Sequence, residues 1–174
     1  MSLIRLLCSL LLVTATACEG GGAPSSVFIA IQSDFAPYAT WEEFPLGVAM
    51  NGGHPVGVET AFRNAKPAAG AYPVGTILVK EIQAGDLPQQ WELFGMVKRG
   101  GAFNAAGAKG WEFFTLKLNL DLVPIVVSRG SNPADADSQG HGYGGDGSSV
   151  TCNRCHGVAG TEASDHTLSA ALHP

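Results

Sequence analysis

"GTILVKEI", residues 75–82, is the stretch on which the fold turns. Aliphatic and β-branched residues follow one another here without a helical repeat, which marks a strand. Period-two alternation puts Thr76, Leu78, Lys80 and Ile82 on one face, with Ile77, Val79 and Glu81 on the other. Lys80 therefore falls between two large apolar neighbours. The ordinary explanation is an edge strand, where the lysine stem covers hydrocarbon while the ammonium reaches water.

Three stretches rich in β-branched and aromatic residues flank it, at residues 56–63, 91–99 and 111–118. The segments between the four, "NAKPAAGAYP", "QAGDLPQ" and "GGAFNAAGAKG", carry turn chemistry. Four strands at this spacing predict an antiparallel meander whose inner face needs a packing partner. One short helix is expected near residues 38–44. A chain of 174 residues, 45% hydrophobic, suits one compact domain. Only 14% of residues are charged, with 23 Gly and 10 Pro, which favours short strands over long surface helices. Interruption by Pro and Gly, with no sustained 3.6-residue repeat, argues against a helix bundle. The expected class is α+β and β-rich: a single antiparallel β-sheet domain with a few short helices. The formal charge of −5, with no basic run, argues against nucleic acid as a partner.

"MSLIRLLCSLLLVTATAC", residues 1–18, reads as an export signal over 1–17. It has one cation (Arg5), an apolar run to Val13 and the small residues Ala15, Thr16 and Ala17. Cleavage at this A-x-A pattern is one fate. The other, favoured here, is lipidation of Cys18, because an exported protein rarely leaves a lone cysteine there. Residues 18–26 would then be a lipidated Cys18 and a flexible Gly-rich tether, and residues 27–174 the functional domain. These features predict a periplasmic lipoprotein that meets the membrane only through its lipid anchor.

The chain has four cysteines. Cys8 leaves with the signal and Cys18 is assigned to the lipid, so Cys152 and Cys155 remain. They stand in "TCNRCHG", residues 151–157. C-x-x-C-H is the attachment pattern for c-type haem: two thiols add to two vinyl groups, and the adjacent histidine ligates the iron. In that reading Asn153 and Arg154 are spacers. A zinc site would need two more ligands, for which His166 and His173 are the candidates without a familiar spacing. A plain disulfide is the third reading. Haem c, one per chain and covalently attached at a C-terminal site, is the working expectation. No Met follows His156, so a downstream Met ligand of the usual small-cytochrome kind is missing.

Several pieces together resemble the cytochrome P-460 family, which includes the β-sheet cytochromes c′. They are "YPVGTILVKEI" (72–82), "GMVKR" (95–99), "GWEFF" (110–114), "CNRCH" (152–156) and "SDHTL" (164–168). Their order and spacing match from about residue 27 onward. The resemblance implies a mostly antiparallel β domain, often a homodimer, with one haem c and no strong protein ligand on its distal side. It places Lys80 where members named for the unusual haem join a lysine to a porphyrin meso carbon. Apolar surroundings lower an amine's pKa and favour its nucleophilic form. The resemblance also implies small nitrogen ligands: hydroxylamine, oxidised to nitrous oxide, nitric oxide or nitrite with a redox partner such as another cytochrome, or nitric oxide bound without turnover.

An enzyme, a gas-binding protein for nitric oxide or carbon monoxide, and a six-coordinate electron-transfer cytochrome thus remain open. The enzyme needs a distal carboxylate, and Asp135, Asp137 and Asp146 cannot be matched to it. His141 in the same Gly-rich segment is a candidate lid or ligand, with a surface loop histidine as the plainer reading. Met50, Met96 and His54 are further candidate ligands. Phe62, Phe94, Phe103, Phe113 and Phe114 could cap a gas pocket, although most of them must be core.

Overall fold

A computed structural model describes residues 26–49, 54–133, 151–159 and 162–174. The expected export signal, Cys18, nearly all of the expected tether, Met50, Asp135, Asp137, Asp146 and His141 lie outside the described residues. The domain is a single six-stranded antiparallel sheet in which strand order follows chain order. The strands are β1 (Glu42–Ala49), β2 (Gly57–Arg63), β3 (Ile77–Gln83), β4 (Glu92–Lys98), β5 (Trp111–Leu118) and β6 (Pro124–Gly130). Two short helices, α1 (Gln32–Phe35) and α2 (Cys152–Arg154), accompany it.

The four expected strands are β2 to β5. The helix expected near residues 38–44 is instead a three-residue 3-10 turn, Tyr38–Thr40, after which β1 begins at Glu42. Pro45 and Gly47 explain the difference. Both oppose a helix, yet an edge strand accepts them where its ladder is interrupted. The β1–β2 register shifts between these two residues, and Gly47 has φ of 93°. The chain also adds β6, "PIVVSRG", which pairs with β5 across a second shift between Thr115 and Leu116.

Alternation along β3 sorts the interior into two layers. Ile77 and Val79 join Phe62, Leu93, Val97, Phe114 and Leu116 on one face, where Phe35 and Tyr38 from the N-terminal segment cover them. Phe35 meets Phe114 with ring centroids 5.0 Å apart. Gly95, opposite Phe114 in the ladder, makes room: a Cβ there would stand 3.0 Å from the Phe35 ring. Each buried aromatic or aliphatic side chain of this layer contributes on the order of 1.5–3 kcal/mol. Glu112, 2% exposed, ties the layer to its cover. It accepts from Arg99 and Arg129, and Arg129 also donates to the Ala30 carbonyl at 2.7 Å.

Leu78 faces the other way, into a second cluster with Tyr72, Ala108, Trp111 and Phe113, against which Met96 and Cys152 pack. Lys80 shares the face of Leu78, as alternation requires. The edge-strand explanation of Lys80 does not hold, because β3 is an interior strand paired with both β2 and β4. Its ammonium therefore points into whatever covers this second face.

Candidate functional site

The C-terminal segment supplies that cover. Two cross-strand rows form the floor: Leu78, Met96 and Phe113 in one, Ala61, Lys80 and Phe94 in the next. Above them, α2 and the π-helical turn Cys155–Ala159 carry the C-x-x-C-H residues. Thr151 starts this helix by accepting the Arg154 N–H at 3.1 Å, the usual service of an N-cap threonine. Cys152 and Cys155, three residues apart, fall on one side of a helical turn. Between segment and sheet lies a cavity of about 360 Å³. Cys152, Cys155, His156 and Lys80 all line it. The candidates chosen from sequence thus converge from positions more than seventy residues apart.

Asn153 is more than the spacer expected. Its side-chain oxygen accepts from Asn104 Nδ2 at 2.8 Å and from the Ala108 N–H at 2.9 Å. Its own N–H donates to Asn132 Oδ1 at 3.1 Å. The approach is close enough that a Cβ on Gly107 would overlap the Asn153 amide, and one on Gly157 would stand 3.0 Å from the Ala108 nitrogen. The helix is thereby fixed against the loop that precedes β5.

The chemistry of the donor set follows from burial. Burial pushes the Cys152 thiol up to about 11, so it stays protonated at neutral pH. Burial lowers His156 to about 4, with the Lys80 charge adding to the effect against its hydrogen bond to a carbonyl. That bond joins His156 Nδ1 to the His166 carbonyl at 2.8 Å. A carbonyl oxygen can only accept, so Nδ1 carries the proton and Nε2 keeps its lone pair. A neutral imidazole with Nδ1 so engaged is the ligating form. Phe113 packs 5.3 Å from the ring. Two thiols on one turn, a neutral imidazole with a lone pair beside them, and an apolar floor suit attachment of haem c.

The zinc reading has less support: among the described residues no three His, Cys, Asp or Glu side chains gather as a metal group. His166 donates its Nδ1–H to the His156 carbonyl at 2.9 Å, and His173 is exposed.

A polar group occupies the β2–β3 part of the cavity. Lys80 Nζ donates to Glu59 Oε1 at 2.8 Å, and both residues line the space with His54. Burial pulls the Lys80 pKa below the ordinary lysine value, while Glu59 opposes the shift. Burial, then the charges of Lys80 and His156, take His54 down to about 3. Its ring meets Phe94 edge-on, with centroids 4.6 Å apart.

Of the other candidates, Met96, Phe94 and Phe113 line the cavity from its own face, while Phe114 borders it with its ring in the opposite layer against Phe35. Phe62 belongs to the opposite layer, and Phe103 lies beneath Arg99 at 4.5 Å. Glu59 was not singled out from sequence, although the register that sets Ala61 opposite Lys80 brings Glu59, two residues before, onto the same face. Asp165, which accepts from β4, β5 and the connection into β3, carries no signal beyond its place in "SDHTL". No protein-family model, curated protein or solved structure matches the chain.

Proposed function

We propose that this chain is an exported mono-haem c-type cytochrome resembling cytochrome P-460. Cys152 and Cys155 would hold one haem c and His156 Nε2 would ligate its iron. Lys80 is the candidate for the further covalent contact that the resemblance implies. When bound, haem c would supply redox-active iron able to take small nitrogen ligands. We favour oxidation of hydroxylamine over simple binding.

The observation that carries this reading is the Glu59–Lys80 pair, which lines the same cavity as the C-x-x-C-H residues. Oxidation of hydroxylamine releases protons together with electrons, so it needs a base beside the ligand. Glu59 provides one. Its Oε1 is held by Lys80 and its Oε2 is the atom that accepts a proton. Leu78, Phe94 and Phe113 give the remainder of the cavity an apolar lining, and electrons would leave to a redox partner such as another cytochrome.

The second reading, a gas binder, draws on the same aromatic wall of Phe94 and Phe113. Optical spectra with and without hydroxylamine, on protein matured in a host that attaches haem c, decide between them. Turnover with an electron acceptor supports the enzyme. Spectral binding of nitric oxide or carbon monoxide without turnover supports the gas binder, and a colourless, iron-free product refutes both.

A further inference from the structure

Asp165 is buried to 5% exposure where the C-terminal segment meets the sheet. Its Oδ2 accepts the Tyr72 N–H at 2.8 Å, and its Oδ1 accepts Trp111 Nε1–H at 3.1 Å and Lys98 Nζ at 2.5 Å. The donors come from the connection into β3, from β5 and from β4, so two neighbouring strands and that connection converge on one carboxylate. Lys98 is itself steadied over the Trp111 ring, 4.9 Å from its centroid, and by the Lys109 carbonyl.

The backbone at Asp165 and His166 is left-handed, with φ of 45° and 63°. Residues other than glycine adopt this conformation when their surroundings impose it. The Asp165 bonds are such an imposition. The same turn presents the His166 carbonyl to His156 Nδ1–H, while the His166 ring reaches back to the His156 carbonyl. A path of direct contacts thus runs from the sheet through Asp165 and the His166 carbonyl to the imidazole of the attachment motif.

We propose that Asp165 is the positioning residue for His156: it pins the 165–166 turn to the sheet, and the pinned carbonyl fixes which ring nitrogen faces the cavity. The geometry stands without a cofactor; its effect on an iron ligand rests on the haem reading. A carbonyl on Nδ1–H makes the imidazole a stronger donor, which favours ferric over ferrous iron. Loosening that bond therefore raises the midpoint potential.

Asp165→Asn keeps the size but removes the charge and one acceptor oxygen, and Lys98→Met removes one donor. Nitrogen-15 NMR of the histidine rings, on the full chain produced without haem attachment, is expected to show His156 wholly as the Nδ1–H tautomer. Asp165→Asn is expected to bring in the Nε2–H form. In the haem-bearing protein it should also raise the ferrous-to-ferric ratio at fixed potential at least threefold. Lys98→Met is expected to move both readouts the same way by less. A folded Asp165→Asn protein with the wild-type tautomer and potential overturns the proposal. Should that variant fail to fold, unchanged tautomer and potential in Lys98→Met overturn it instead. A wild-type product without iron refutes the haem reading alone, since the tautomer measurement still tests Asp165.

Discussion

Glu59→Gln, made in the chain produced without a cofactor, leaves the Lys80 ammonium without the carboxylate that stands 2.8 Å from it. The two side chains are 24% and 12% exposed. Breaking a fully buried pair on one side costs about 3–5 kcal/mol, whereas an exposed pair is worth about 0.2–1 kcal/mol. This pair lies between those limits, so about 2 kcal/mol is expected from Glu59→Gln. Lys80→Met should cost a similar amount, because it leaves Glu59 charged and nearly enclosed. The double variant replaces both charges with neutral groups of similar size and should fall within about 1 kcal/mol of wild type. The implied coupling is at least about 3 kcal/mol, the upper end of measured pairs.

Urea titrations at pH 7 give all four corners of this cycle, and their pH dependence gives an independent reading. The Lys80 pKa is depressed from 10.5 by burial. Between the depressed value and 10.5 the unfolded chain binds more protons than the folded one. Stability therefore rises with pH across that window, and the penalty is fully present below it. Removing Glu59 takes away the opposing pull, so the rise should begin at lower pH in Glu59→Gln. Coupling below about 0.5 kcal/mol, within ordinary additivity, would show that the two groups do not form a pair and would remove the main support for Glu59 as the cavity base.

Three further outcomes are expected. Cys152→Ser and Cys155→Ser should each prevent normal covalent attachment of haem, read by whether colour stays with the polypeptide in denaturant; unchanged attachment in both would count against the motif. Asn153→Ala leaves the Ala108 N–H without its acceptor, while Asn104 Nδ2 keeps the Ala108 and Trp111 carbonyls, and should cost about 1–3 kcal/mol in denaturant titration, the penalty for orphaning one buried donor. Gly95→Ala should cost about 1–3 kcal/mol through overpacking against Phe35, and Phe35→Leu should recover part of that loss in the double variant, whereas a neutral Gly95→Ala would contradict the close approach of that ring.

Alternation revealed β2 to β5 because each of them sends large side chains to the faces of a well-covered sheet. The edges were harder to read. β1 holds Pro45 and Gly47, and its ladder slips at these residues, so its pattern resembles a broken helix more than a strand. β6 is a short β-branched run between Pro124 and Gly130 that leads straight into a Gly-rich segment, so its pattern is brief and has no clear far boundary. The side of Lys80 was legible from period two, but its place in the sheet was not, since alternation says nothing about strand order. Glu59 illustrates the same limit: it meets Lys80 only through the β2–β3 register. The C-x-x-C-H spacing marked its own residues plainly, while Asn153, Asp165 and the His166 carbonyl act through folded geometry that no short motif encodes.

Every strand of the meander precedes Cys152 in the chain. Because each strand pairs with the one made just before it, the sheet can zip up hairpin by hairpin as the polypeptide emerges, without waiting for distant partners. The thiols are delivered last, onto a floor already assembled beneath them. Chain order and topology together would let the sheet side of the cavity form before the residues that close over it arrive.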